Sequence, residues 1–169
     1  KCIKITNRIT VEIARMTELM DDVLLLGKST SGSIDVKPEE INLVDFCQTL
    51  AKRFNDIQTD GRIINVATEG EPYNVYLDFK LLSQALSNLL SNAFKFTEKG
   101  DITLKCWEDG EKLYFSVKDT GIGMSNEVVN RLFKPFEQAD NSISRRYGGT
   151  GLGLYISYSL ASMMRGRID

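Results

Sequence analysis

Two stretches of apolar/polar alternation face each other across an Asp-Gly pair. Ile102, Leu104 and Cys106 mark the first, Leu113, Phe115 and Val117 the second, and Asp109-Gly110 lies between them. Alternation with period two gives each stretch one apolar face, and Asp-Gly favours a tight turn, so the segment predicts a β-hairpin. Something elsewhere in the chain must cover that face. Asp78 can cap a long helix reaching Lys95, with Leu82, Leu86, Leu89 and Leu90 as its buried stripe. Asn42 can cap an earlier helix that gathers Leu43, Phe46, Cys47, Leu50 and Phe54 on one face. Arg62 to Ala67 and Tyr73 to Leu77 read as short strands. A loop-rich stretch runs from Asp119 to Gly153, and a last helix from about Leu154 to Met164. Helices alternating with strands around a hairpin imply an α+β fold, a two-layer α/β sandwich with helices on one face of a mixed sheet.

The first residues belong to a different pattern. Cys2, Ile5, Ile9, Ile13, Met16, Met20 and Val23 recur in steps of three and four, which predicts one helix over residues 2 to 26. From Ile9 to Val23 the steps run 4-3-4-3, the narrow seam of a coiled coil or helical bundle. Such a stripe needs a partner: another helix of a bundle, which the narrow seam favours, or the domain that follows. Gly27 to Ser33 is a breaker cluster, so residues 1–33 are expected to form a helix with its linker, and residues 34–169 a globular domain.

A formal net charge of −2 offers no electrostatic footprint for nucleic acid or an anionic membrane. No apolar run approaches the roughly 20 residues a membrane span needs, and no signal-peptide pattern opens the chain. The chain is expected to begin within a longer protein. Its three cysteines, Cys2, Cys47 and Cys106, form no Cys-x-x-Cys pair, which suits reduced thiols. Histidine is absent, which removes imidazole acid/base catalysis and a Ser-His triad from this chain.

Three polar motifs interrupt the core pattern. On the long helix Asn88, Asn92 and Lys95 stand at i, i+4 and i+7 and so share one face. Two amides and an ammonium are either a solvated polar face or a site for hydrated Mg²⁺ and phosphate oxygens. At the end of the second hairpin strand comes Asp119-Thr120-Gly121-Ile122-Gly123. Its carboxylate can accept from an exocyclic amino group of a base, and its glycines permit close backbone approach to a planar ring; the same string also occurs as a plain turn. The third motif is Tyr147-Gly148-Gly149-Thr150-Gly151-Leu152-Gly153-Leu154, which opens the last helix. A glycine-rich helix start offers backbone N–H groups and a positive dipole end to an anion. It lacks the Lys-Ser/Thr ending of a P-loop and does not follow a strand at Rossmann spacing. Arg145 and Arg146 just upstream are either phosphate contacts or surface charges.

Taken in order, these motifs resemble the histidine-kinase branch of the superfamily that also contains gyrase, the heat-shock chaperone ATPases and the mismatch-repair ATPases. Asn88 to Thr97 is similar to that family's N box, Asp119 to Gly123 to its G1 box, Phe133-Lys134-Pro135-Phe136 to its F box and Gly149 to Gly153 to its G2 box. The resemblance implies ATP and Mg²⁺ as ligands. By it, Asp119 reads the adenine amino group, Gly121 and Gly123 admit the base, Asn92 carries the metal, and Asn88 and Lys95 lie by the phosphates as the remaining catalytic positions. Gly149, Thr150, Gly151, Leu152 and Gly153 would cradle the phosphates, with Arg145 and Arg146 beside them. Met124 to Tyr147 would form a lid anchored by Phe133 and Phe136. Residues 2 to 26 resemble the second helix of a dimerisation and histidine-phosphotransfer hairpin. That implies a homodimer through a helical bundle, a response-regulator receiver domain as partner and a cytoplasmic location, with any membrane anchor upstream.

Two family features are not found in the sequence: the phosphoacceptor histidine, which belongs to the helix before residue 1, and a closing strand hairpin after the last helix. Hydrolytic members of the superfamily carry a glutamate at the position of Asn88, and an amide cannot serve as a base at neutral pH. Asn88 thus favours transfer to histidine over hydrolysis. A nucleotide-sensing dimer module without catalysis is the rival expectation.

Overall fold

Asn42 and Asp78 start the two helices on which the domain is built. The structure, a computed structural model, describes residues 10, 13, 16–17, 19–28, 34–58, 60–69, 74–129, 132 and 151–169. Strand β1 (Glu39–Asn42) leads directly into helix α2 (Leu43–Asn55), where Asn42 Oδ1 accepts from the Asp45 amide at 3.0 Å. Strands β2 (Ile64–Thr68) and β3 (Asn74–Leu77) follow, then helix α3 (Phe79–Phe96). Asp78 caps α3 by accepting from the Lys80 and Leu81 amides, both at 3.0 Å. Its other oxygen accepts from the Lys37 amide at 2.8 Å, tying the segment before β1 to the start of α3. Each cap satisfies helix amides that have no partner within the helix.

Strands β4 (Ile102–Asp109) and β5 (Lys112–Asp119) form the hairpin expected from the alternation, with Asp109 opposite Lys112 across a Gly110-Glu111 turn. Strand β2 lies parallel to β4 from Ile64–Ile102 to Thr68–Cys106, so the three-stranded sheet β2-β4-β5 is mixed. A separate antiparallel pair joins β1 to β3. β1 was not expected from the sequence: three of its four residues are polar and there is no alternation to read. The strand expected over Arg62 to Ala67 is displaced by two residues at its start. The one expected from Tyr73 starts at Asn74 here, and Tyr73 lies outside the described residues.

The register turns Ile102, Leu104 and Cys106 of β4 inward, where they meet Leu43, Cys47 and Leu50 of α2 and Leu86, Leu90 and Ala93 of α3 in one buried cluster. The opposite face of the sheet carries a Trp107–Tyr114 stack at 5.1 Å, with Lys105 over the indole. A second cluster joins Leu81 and Ala85 of α3 to Leu152, Ile156 and Leu160 around helix α5 (Gly153–Met163). The fold is thus the two-layer α+β sandwich, with α2 and α3 on one face of the mixed sheet.

Helix α1 is continuous over residues 19–28, and residues 10, 13, 16 and 17 are helical as well. It runs two residues past the expected end and into the breaker cluster; residues 29–33 of the linker lie outside the described residues. Ile13, Met16, Met20 and Val23 are each at least half exposed, whereas Leu25 and Leu26 pack on the α3–α5 cluster. The domain therefore takes the end of α1 and leaves its heptad seam open. A short helix α4 (Asn126–Val129) follows the hairpin.

Candidate functional site

The C-terminal end of α3 and the segment after β5 meet edge to edge. A helix end leaves carbonyls without intrahelical partners, and here one of them is shared with the Asp119–Gly123 segment. The Phe96 carbonyl accepts from the Ile122 amide at 3.2 Å. Gly121 lies so close to that carbonyl that a Cβ would collide with Phe96 O and would stand 2.7 Å from Asp119 Oδ1. Only glycine fits, because backbone occupies the space a side chain would need. Thr120 ties the same segment to the start of β4: its amide donates to Asp101 O at 3.2 Å, and its Oγ1 accepts from the Asp101 amide at 2.9 Å.

This frame orients a carboxylate. Asp119 Oδ1 accepts from the Gly121 amide at 2.8 Å and from Thr97 Oγ1 at 3.2 Å. Asp119 Oδ2 has no hydrogen-bond partner among the described residues, and the residue is exposed. One oxygen is committed to the protein and the other is left as an acceptor, the arrangement that suits recognition of a donor such as an exocyclic amine. Thr97, which is fully buried, contributes to this site without having been singled out from the sequence. Its only local signal is a hydroxyl directly after an apolar helix end.

On α3 itself, Asn88, Asn92 and Lys95 lie along one face, all partly buried. Asn88 Nδ2 donates to Gly153 O at 3.1 Å, so the amide joins α3 to the first residue of α5. The same carbonyl accepts from Ser157 Oγ, which is also within 3.1 Å of Ala85 O. Asn92 makes no side-chain hydrogen bond among the described residues, which leaves its amide oxygen available to a ligand. The Lys95 ammonium stands 4.9 Å from the centre of the Phe96 ring. Two amides, an ammonium and one carboxylate group no thiol or imidazole, and they fit a hard, oxygen-preferring cation and phosphate better than a soft metal.

The start of α5 supplies the last part. Gly151 has φ +73°, and α5 begins at Gly153 with no side-chain cap. Among the described residues no side chain caps this start, where the positive end of the helix dipole suits an anion. Leu152 is fully buried against Leu81 and Ile156, so only its backbone can face a ligand. Arg145, Arg146, Gly149 and Thr150, together with Phe133 and Phe136 of the expected lid, lie outside the described residues. Of the segment expected to form a lid, Met124 to Val129 and Leu132 are described, with Met124 and Val129 exposed.

The chain belongs to the family described as Histidine kinase-, DNA gyrase B-, and HSP90-like ATPase, which matches residues 77–169, from just before the Asp78 cap through α5. Among curated relatives it is 38% identical over 159 residues to Sensor histidine kinase GacS of Pseudomonas protegens, a match covering 89% of this chain and 17% of that protein. It is 36% identical over 163 residues to Circadian input-output histidine kinase CikA of Synechococcus elongatus, covering 91% of this chain and 21% of that one. Among solved structures, full-length ShkA in complex with AMPPNP matches with a TM-score of 0.79 at 29% identity, over 89% of this chain and 31% of that one. The chain therefore corresponds to a small part of the relatives it matches.

Proposed function

We propose that this chain is the ATP-binding catalytic part of a two-component sensor histidine kinase. It binds ATP-Mg²⁺ and donates the γ-phosphoryl group to a histidine on a helix outside residues 1–169, for relay to a response-regulator aspartate. The observation that carries this reading is the Asp119 carboxylate, held through Oδ1 by Gly121 and Thr97 with Oδ2 open, at the end of the helix that bears Asn92 and Lys95. Asp119 accepts from the adenine amino group, Asn92 offers its amide oxygen to Mg²⁺, and Lys95 and the start of α5 neutralise phosphate charge. ShkA, the structural neighbour that holds the ATP analogue AMPPNP, supports the nucleotide.

Phosphoryl transfer needs positioning and charge stabilisation more than covalent chemistry from the protein. Asn88 fits transfer rather than hydrolysis, because its amide is no base and its Nδ2 is committed to Gly153 O. The exposed seam of Ile13, Met16, Met20 and Val23 is the homodimer surface, completed by a second helix in a bundle. The domain works on the cytoplasmic side, where ATP is supplied. Among the described residues no helix is long and apolar enough to cross a membrane.

Incubation with labelled ATP-Mg²⁺ tests the proposal. The chain alone should yield no phosphohistidine and little free phosphate. An added polypeptide presenting a histidine on a two-helix hairpin should take an acid-labile, base-stable label. Rapid release of phosphate with no label on the hairpin would instead support an ATPase.

A further inference from the structure

Arg62 stands in the loop before β2, far in sequence from the Asn88–Thr97 and Asp119–Gly123 segments, yet its guanidinium reaches the end of α3. Nη1 donates to the Phe94 carbonyl at 2.6 Å and also to the Thr97 carbonyl, and the cation lies 5.4 Å from the centre of the Phe94 ring. Asp60 holds the other side of the fork: Arg62 Nε donates to Asp60 Oδ2 at 2.8 Å, and the Arg62 amide donates to Asp60 Oδ1 at 3.1 Å. These hydrogen bonds from Arg62 hold the Asp60 carboxyl below its ordinary value. The Arg62 side chain is only 19% exposed.

A cation at a helix C-terminus is favoured by the dipole and by the carbonyls left open there. Here the carbonyls it takes belong to one particular turn. Thr97, clamped through its carbonyl by Arg62, presents Oγ1 to Asp119. Phe96, between the two clamped residues, receives Ile122 and abuts Gly121. The Phe94 ring under the guanidinium is itself stacked on Phe54 of α2, so the turn is held from the core side as well. Arg62 and the Asp119 segment therefore share the end of α3 between them. We infer that Arg62 is a positioning residue for base recognition: through Thr97 it sets the Asp119 carboxylate in the orientation that discriminates for an exocyclic amino group.

The inference rests on the proposed role of Asp119, and a comparison of two ligands separates them. ADP and purine riboside diphosphate, which lacks the 6-amino group, are titrated into the full chain by calorimetry. The wild type should prefer ADP by about 10- to 100-fold, the worth of one hydrogen bond to a charged acceptor. Equal affinities in the wild type would overturn the Asp119 reading before any substitution is made. In Arg62→Ala the preference should fall to about threefold or less, with the affinity for purine riboside diphosphate changed by no more than about twofold. Thr97→Val should give the same collapse, and Arg62→Ala added to Thr97→Val should remove nothing further. Arg62→Lys, which keeps a cation but loses the fork to Asp60, should recover part of the preference. A folded Arg62→Ala that keeps the wild-type preference, or that weakens both ligands equally, would overturn the inference. If Arg62→Ala does not fold, Arg62→Gln decides: its single amide cannot hold Asp60 and both carbonyls, so an undiminished preference in that variant overturns it too.

Discussion

Substituting Gly121 by alanine tests how the nucleotide site is assembled. The added methyl meets the Phe96 backbone carbonyl, which cannot give way locally, and Asp119 Oδ1, which the Gly121 amide and Thr97 Oγ1 hold in place. The segment must retreat from the end of α3. Retreat gives up the Ile122–Phe96 backbone hydrogen bond, a neutral pair worth about 1 kcal/mol, and strains the Gly121–Asp119 bond, a charge-assisted contact worth about 1.5–3 kcal/mol. If most of both is lost from the conformation that binds, ADP affinity falls by about 2–4 kcal/mol, which is about 30- to 1,000-fold. Folding stability should change less, by about 1 kcal/mol, because the segment is at the surface and can move outward. Gly123→Ala is the control. No atom lies within 4 Å of its added methyl, and only the φ of +68° resists it, so a loss of about 1–2 kcal/mol is expected. Calorimetry with ADP-Mg²⁺ and a thermal melt of each variant provide the readout. A Gly121→Ala protein that binds ADP within about threefold of wild type would refute the claim that close approach to Phe96 orients Asp119.

Four further outcomes are expected. Asp119→Asn keeps the shape of the side chain but can turn a donor toward a donor, and should weaken ADP binding by about 2–4 kcal/mol in the same titration. Asp78→Ala removes the cap of α3 and the acceptor for the Lys37 amide, and should cost about 1–2 kcal/mol in chemical denaturation. Burial pushes the Asp78 carboxyl up, but the Lys37, Leu81 and Lys80 amides and the Lys80 charge hold it below its ordinary value of 3.8. Its stabilisation is then complete above that value and is lost as pH falls through the lower folded-state value, so Asp78→Asn should show a shallower loss of stability below pH 3.8 than wild type. Burial, and for Cys47 the neighbouring Cys106, pushes both of these thiols up. Cys47 and Cys106 should therefore resist alkylation at neutral pH until the domain unfolds, as counted by mass spectrometry.

Local chemistry made much of this protein readable from its residues. The hairpin follows from alternation on either side of Asp109-Gly110, and the two main helices follow from Asn42 and Asp78 standing before apolar stripes. The polar face of α3 is equally a matter of spacing, since residues four and seven apart share a side of any helix. Tertiary structure decided what spacing cannot encode. β1 exists because β3 lies beside it, four residues that carry no pattern of their own. Gly121 is required by a carbonyl at the end of another element, 25 residues earlier, and not by its own backbone angle. Thr97 faces Asp119 only because α3 ends where β5 ends. Arg62 reaches Phe94 and Thr97 across 32 and 35 residues, from a position whose sequence reads only as the start of a short strand. Hydrogen-bond geometry at a helix end depends on which chain arrives there, and only packing of the sheet against its helices brings these segments together.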